Sequence, residues 1–242
     1  MVNFNKKPGN NIIMFESLIR LGSMTKSQIP IYPLEYKSTE VLNLSQREVY
    51  FQWIFDTATD LKLPIKTSFL ACTYLDIFFN RRAIPSVDNL EVLGLVCLHL
   101  AYKYTEPGMI QVSTLASMLK GRYSIIIINE IELYVLKTLE WRLDLITLHD
   151  IIEEIIPEGF NNRTKIVNVA TCYSLLLFIE GNTVNSGICN IALISVSTAL
   201  ERLKADIQCA YDFKELGTDL EIIQELDRVL KSKIDECNST YL

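Results

Sequence analysis

Residues 70–79 read Leu-Ala-Cys-Thr-Tyr-Leu-Asp-Ile-Phe-Phe, an almost unbroken apolar run that encloses one carboxylate, Asp76. A helix that is apolar on nearly every side belongs at the centre of a core. An unpaired carboxylate there would cost several kcal/mol or force a large pKa shift. The sequence therefore predicts a partner for Asp76. The candidate is Arg47, near the start of the preceding predicted helix (45–62, with Ser45 as its cap), in a structural, bidentate contact.

The composition allows one or two globular domains. The chain has 242 residues, of which 49% are hydrophobic, and a mean hydropathy of +0.20. No apolar run reaches the roughly 18 residues needed to span a bilayer. The N-terminal residues also lack the apolar segment of a secretory signal, so we expect an intracellular protein.

Charge and cysteine usage exclude several function classes. A net charge of −6, with no Lys/Arg block longer than a pair, argues against nucleic-acid and anionic-membrane partners. The cysteines lie far apart and form no C-x-x-C, which favours buried free thiols over disulfides or a zinc site. We expect no metal and no cofactor. The cysteines are Cys72, Cys97, Cys172, Cys189, Cys209 and Cys237.

The apolar periodicity is helical throughout, with Pro and Gly between the periodic segments, and it predicts an all-α protein. A short helix is expected at 11–21, followed by an irregular segment over 22–44. Two consecutive five-helix bundles then follow, which divides the chain into an N-terminal extension (1–44), a first bundle (45–146) and a second (147–242). The predicted helices are 45–62, 64–80, one from Pro85 to a stop at Pro107, 112–120, 124–139, 148–156, 162–180, 186–204, 206–214 and 219–237.

Motifs in the first bundle resemble the cyclin box. They are Arg47 and Trp53 in the first helix, Leu70-Ala71 and Tyr74-Leu75-Asp76 in the second, Leu93-Gly94 and Ala101-Tyr102-Lys103 in the third, and Glu132 and Leu136-Lys137 in the fifth. Trp141, Leu143 and His149-Asp150 follow in the manner of D-type cyclins. The resemblance is specific over 45–150, whereas over 151–242 it depends on helix number and length.

This resemblance implies a noncatalytic subunit that binds and activates a cyclin-dependent protein kinase as a heterodimer and drives the cell cycle. Lys103 and Glu132 match the cyclin Lys and Glu that face the kinase, where they bind main-chain carbonyl and N–H groups. From position alone, each would be an ordinary charged helix residue. The apolar surface expected around the pair comprises Leu100, Tyr104, Leu136, Trp141 and Leu143.

The resemblance implies a second surface on the first helix. In cell-cycle cyclins a shallow groove there holds Arg-x-Leu-type segments of kinase substrates and inhibitors. The matching positions are Val49, Trp53, Asp56 and Leu90. Three other positions depart from the family preference and make the groove more polar: Gln46, Tyr50 and Glu91 stand where Met, Leu and Gln are preferred. A Trp at helical spacing is also more often a core residue than a docking residue.

No enzymatic site is visible. The chain has two histidines, and no H-E-x-x-H, phosphate-binding loop, G-x-S-x-G or G-x-G-x-x-G motif occurs. His99 lies in an apolar helix and is interpreted as a hydrogen-bonded core residue. His149 lies at a helix start, where a capping or packing role is expected.

Features that D-type cyclins carry but this chain lacks refine the expectation. A retinoblastoma-binding L-x-C-x-E segment and a Pro/Ser/Thr-rich tail are both missing, and such a compact chain resembles the cyclins of gammaherpesviruses. It would then act in the nucleus and cytoplasm of the host cell. Two alternatives stay open: a cyclin-fold transcription factor that binds DNA, and a cyclin-fold adaptor that does not activate a kinase. The net charge disfavours the first, and the match at Lys103 and Glu132 disfavours the second.

Overall fold

The computed structural model describes residues 43–82, 89–108, 110–156, 158–203 and 220–240. Every regular element within these ranges is helical, as the sequence predicts. The described residues form two compact units, 43–147 and 148–240. The predicted helices at 11–21 and 206–214, the predicted helix start at Pro85, and Cys209 lie outside the described residues. The domain boundaries stay a prediction.

The first unit contains five helices that agree closely with the predicted ones. They are α1 (Leu44–Asp60), α2 (Ile65–Arg81), α3 (Leu90–Thr105), α4 (Val112–Met118) and α5 (Ile125–Thr138). Helix α3 packs against α1, α2 and α5 and is buried on all sides from Val92 to Ala101. The central position of α3 explains why its sequence is apolar around its whole circumference.

The start of α1 differs from the prediction. The N-cap is Asn43 and not Ser45. The Asn43 side chain accepts the Gln46 N–H, and the Gln46 side chain accepts the Asn43 N–H, both at 2.9 Å. This reciprocal capping box needs a short acceptor followed three residues later by Glu or Gln. Both Asn43-x-x-Gln46 and Ser45-x-x-Glu48 meet that requirement in the sequence, and the structure uses the first of them.

A buried ion pair holds α1 against α2, as the sequence predicts. Arg47 Nε and Nη2 donate to the two carboxylate oxygens of Asp76, at 3.0 and 2.9 Å. The two side chains are 1% and 3% exposed, and the guanidinium lies over the Phe51 ring, 4.0 Å from its centroid. The bidentate contact gives Asp76 the partner that its apolar surroundings require.

The second unit contains α6 (Leu148–Ile155), α7 (Arg163–Ile179), a 3-10 helix (Gly181–Ser186), α8 (Ile188–Arg202) and α9 (Leu220–Thr240). Helix α8 packs against α6, α7 and α9. His149, at the start of α6, lies 3.1 Å from the Thr171 hydroxyl through its Nδ1, which agrees with the predicted packing role.

The cysteine prediction holds only in part. Cys72 and Cys97 are buried, and burial raises the pKa of both thiols. Cys189 is half-buried, and the same effect raises its pKa to about 11. Cys172 and Cys237 are exposed, so the prediction of burial is wrong for them, because both lie on outward faces of their helices. None of the described helices is both long and apolar enough to cross a membrane.

Candidate functional site

The structure brings together the two charged residues that the sequence singles out. Lys103 lies in the last turn of α3, and Glu132 lies in the middle of α5. The Lys103 Nζ is 2.5 Å from Glu132 Oε1. The lysine side chain is 35% exposed and the glutamate side chain 17%. The lysine is therefore the more solvent-accessible member of the pair, and the glutamate is largely covered.

A buried histidine lies beneath this pair. His99, on α3, is 3% exposed and places Nδ1 3.3 Å from the second carboxylate oxygen of Glu132. Its other ring nitrogen, Nε2, is 2.8 Å from the Ile110 carbonyl oxygen. The hydrogen bond to His99, helped by the bond from Lys103, lowers the pKa of the Glu132 carboxyl, although partial burial acts in the opposite direction.

The sequence correctly places His99 among hydrogen-bonded core residues but gives no sign that its partner is Glu132. The two residues lie 33 positions apart on different helices. One signal was available: a polar side chain in a fully buried helix needs partners, and Glu132 is the acceptor already expected near this end of α3.

Four of the five apolar residues predicted to surround the pair are exposed or half-buried. Tyr104 is 51% exposed and Trp141 62% exposed, while Leu136 and Leu143 are half-buried. Leu100 is 3% exposed, so its predicted place on the surface is wrong. It belongs to the part of α3 that is enclosed by its neighbours, and α3 reaches the surface only in its last turn.

Trp141 projects from a strained turn at the end of α5. Glu140 and Trp141 have φ values of 55° and 61°, in the left-handed region that costs a non-glycine residue about 1–3 kcal/mol. Arg81 braces the turn by donating to the Thr138 carbonyl oxygen at 2.7 Å and by pairing with Glu140 at 3.1 Å. The turn therefore holds a large aromatic side chain in solvent, next to the helix that carries Glu132.

The outward face of α5 extends the apolar surface. Only Ile128, Val135 and Thr138 of this helix are buried. Five large apolar side chains of α5 are between 42% and 70% exposed: Ile125, Ile126, Ile127, Leu133 and Tyr134. Several exposed large apolar side chains on one helix are typical of a protein-binding surface.

The predicted groove on α1 is only partly open. Val49 is 73% exposed and Asp56 is exposed, whereas Trp53 is half-buried and stacks on Tyr50, with ring centroids 5.7 Å apart. Leu90 is buried, so its prediction as an accessible groove wall is wrong. Its carbonyl oxygen accepts the Tyr50 hydroxyl, and this bond ties the start of α3 to the buried side of α1.

Tyr50 and Trp53 take the space above Gly94. A Cβ at Gly94 would lie 2.5 Å from the Tyr50 hydroxyl oxygen and 2.8 Å from the Trp53 ring, so a larger residue there would have to displace these rings. The third departing position, Glu91, pairs with Arg122.

The described residues offer no metal site, since no three His, Cys, Asp or Glu side chains among them are placed to hold an ion. The site is instead an exposed ion pair with a buried histidine below it and aromatic and aliphatic side chains around it. Chemically, such an arrangement can bind the main chain of another protein.

The sequence comparison decides the family. Residues 18–144, more than half of the chain, match the family model of the cyclin N-terminal domain. The chain belongs to the cyclin family. The matched range includes Arg47, Asp76, Lys103, Glu132 and Trp141.

Curated relatives include both plant and animal cyclins. Cyclin-D1-1 of Arabidopsis thaliana is 30% identical over 132 residues, which cover 50% of this chain and 38% of the relative. Cyclin-A1-2 of the same plant is 30% identical over 42% of this chain and 23% of its own length. The G1/S-specific cyclin-D1 of Mus musculus is 24% identical over 66% of this chain and 55% of its own length. The chain thus spans about a quarter to a half of the length of these relatives, and D-type cyclins are among them, as the sequence predicts.

Solved structures show the same fold. The X-ray structure of a viral cyclin from herpesvirus saimiri aligns with a TM-score of 0.73 and 15% identity, over 95% of this chain and 100% of that one. A chain in the structure of the CAK complex from Chaetomium thermophilum bound to ATP-gamma-S aligns with a TM-score of 0.55 and 16% identity, over 92% and 72%. The predicted all-α cyclin-box fold is confirmed.

Proposed function

We propose that this cyclin is a noncatalytic regulatory subunit that binds and activates a cyclin-dependent protein kinase. The observation that carries the proposal is the Lys103–Glu132 pair, which reaches the surface where Tyr104 and Trp141 are exposed. Large apolar side chains around a charged pair suit the dry centre of an interface better than a solvated face.

Both members of the pair keep bonding capacity for a partner. An ammonium has three N–H donors, and Lys103 uses one of them on Glu132. A carboxylate has about four acceptor sites, and Glu132 has contacts to Lys103 and His99. We propose that the free donors bind kinase main-chain carbonyls and the free acceptor sites bind main-chain N–H groups. Bonds of this kind become strong when the apolar surround excludes water.

Activation would follow as a population shift. A kinase needs its αC helix turned inward so that the Lys–Glu ion pair that positions ATP can form. A cyclin surface that binds only this arrangement moves the kinase from mostly inactive to mostly active if the preference is worth on the order of 5 kcal/mol. A preformed surface loses less entropy on binding, and the buried Arg47–Asp76 pair helps to keep this one preformed.

The experiment compares two double variants in a titration of purified cyclin-dependent kinases. Lys103→Ala/Glu132→Ala removes the proposed contact. Lys231→Ala/Asp227→Ala is the matched control, because it removes another exposed Lys–carboxylate pair, 2.6 Å apart, on α9 of the second unit. We expect the first variant to lose kinase binding and activation and the control to retain both. Equal activation by the two variants would refute the interface.

The same samples separate the remaining alternatives. An adaptor would bind a kinase with no gain in substrate phosphorylation. A cyclin-fold transcription factor would bind duplex DNA in a fluorescence titration at low salt, where the electrostatic contribution is largest. Mass spectrometry of the kinases captured from a cell lysate would identify the partner.

Three finer statements belong to the same proposal. We propose a D-like cyclin of viral origin that acts in the nucleus and cytoplasm of a host cell, supported by the length over which the herpesvirus saimiri cyclin aligns. At 15% identity that likeness concerns the fold, so the origin stays a prediction. Docking of substrates or inhibitors at Val49, Trp53 and Asp56 is a weaker proposal, because the buried Leu90 removes one wall of the groove.

A further inference from the structure

His99 faces two acceptors, one on each ring nitrogen. Nε2 lies 2.8 Å from the Ile110 carbonyl oxygen, and Nδ1 lies 3.3 Å from Glu132 Oε2. A carbonyl oxygen can only accept, and so can an ionised carboxylate. The ring lies between these two acceptors, and its contacts join three segments: α3, the residues before α4, and α5.

The two partners of Glu132 occupy opposite positions. Lys103 holds Oε1 from the solvent side, where a protein partner would arrive. His99 holds Oε2 from below and is only 3% exposed, so an incoming protein cannot reach it. When a partner's carbonyl groups attract the Lys103 ammonium, the contact to His99 remains.

We infer that His99 is a positioning residue for Glu132: it fixes the carboxylate from within the core, so that the acceptor keeps its orientation when Lys103 turns to a bound kinase. This inference deepens the proposed function and rests on it for the kinase contact. The lowered pKa of Glu132, to which the His99 bond contributes most, is consistent with a carboxylate that is held ionised.

Two amide substitutions separate the positioning role from a purely structural one. The amide nitrogen of Asn can take the place of Nδ1, which faces Glu132, and that of Gln can take the place of Nε2, which faces Ile110. If His99 acts through Glu132, His99→Asn retains kinase affinity and His99→Gln loses about tenfold, within the range for residues in one hydrogen-bond network. If His99 only ties α3 to Ile110, His99→Gln is the better tolerated, and the inference is overturned.

A double-mutant cycle gives the second readout. His99→Leu should weaken kinase binding about tenfold when Glu132 is present and leave it unchanged when Glu132 is already alanine. A loss of the same size in both backgrounds would show that His99 acts through the fold alone. If His99→Leu does not fold, the comparison of Asn with Gln decides.

A carboxyl NMR titration of Glu132 in the free protein needs no kinase and so distinguishes failure of this inference from failure of the proposed function. Removal of the donor in His99→Leu should raise the pKa of Glu132, whereas His99→Asn should keep it low. An unchanged pKa in His99→Leu would overturn the inference even if the kinase binds. If the wild type binds no kinase while His99→Leu still raises the pKa of Glu132, the proposed function is refuted and the inference about His99 and Glu132 stands.

Discussion

Two ion pairs of the first unit have the same chemistry and opposite surroundings. Arg47–Asp76 and Lys103–Glu132 each join two helices, and in both pairs the partners lie 29 positions apart in the sequence. The first pair is bidentate, with side chains 1% and 3% exposed; the second makes one contact, with side chains 35% and 17% exposed. An ion pair that is shielded from water can act only within the fold, whereas an ion pair at the surface can also bind groups of a partner protein.

The choice of cation fits this division. A guanidinium is a rigid planar fork whose donors match both oxygens of one carboxylate at the same time. An ammonium is a compact point charge on a flexible stem, with donors left over after one contact. Arg47 therefore suits a permanent internal contact, and Lys103 suits a contact that is rearranged on binding.

The largest expected effect concerns the buried pair. Asp76→Ala leaves the Arg47 charge in the core without its carboxylate, which should lower the free energy of unfolding by about 3–5 kcal/mol. Urea denaturation followed by circular dichroism measures this loss. A midpoint equal to that of the wild type would show that the contrast between the two pairs is wrong.

The corresponding change in the surface pair should reverse the pattern. Glu132→Ala should lower the affinity for the kinase by about 2 kcal/mol or more, because the partner groups lose their acceptor. Its unfolding free energy should fall by about 1–2 kcal/mol, because the buried His99 ring loses one partner, and this loss is smaller than that of Asp76→Ala. Calorimetric titration and urea denaturation of the same sample test both statements. A variant that unfolds readily yet binds normally would assign the pair to the fold.

Trp141 tests whether the strained turn serves the same surface. Trp141→Ala should weaken kinase binding by about 2 kcal/mol, as expected for an exposed aromatic residue that becomes buried in an interface. Val49→Ala, which changes the most exposed apolar side chain of α1, is the control and should leave kinase affinity unchanged. Surface plasmon resonance with immobilised kinase would give both values. If Trp141→Ala lost no more kinase affinity than Val49→Ala, Trp141 would lie outside the kinase interface.

The smallest expected effect is a pH dependence. The pKa of Glu132 is lowered from 4.5 in the folded protein, so its contacts stabilise the fold above that pH. The contribution is lost as the pH falls below 4.5 and through the folded-state pKa. The stability difference between the wild type and Glu132→Gln should be constant near neutral pH and should shrink on acidification. A difference that stays constant to low pH would contradict the lowered pKa.

The need of Asp76 for a partner could be predicted from residues alone, because its neighbours in the helix are apolar. The choice of Arg47 agrees with the family resemblance, since several other cations lie nearer in the chain. The helices were predictable for a similar reason: apolar periodicity and the Pro and Gly breaks fix them to within a few residues. The cap of α1 was missed because Ser45 and Asn43 are both good capping residues. Only the reciprocal bond to Gln46 selects Asn43.

The site was less predictable than the fold. The proximity of Lys103 and Glu132 came from the family resemblance, since nothing in the spacing of two helices reveals which faces meet. Leu100 and Leu90 were placed at the surface by analogy, although the apolar run that continues to Ala101 indicates that most of α3 is enclosed. The His99–Glu132 contact depends on the packing of α3 against α5, a tertiary property that no local pattern reports.

The most direct test is a crystal structure of this cyclin bound to its kinase. The account predicts that Lys103 Nζ and the Glu132 carboxylate each lie within about 3.5 Å of kinase main-chain atoms, with Trp141 buried at the contact and His99 still against Glu132. A complex in which Lys103 and Glu132 face solvent, and the kinase contacts another surface, would contradict it.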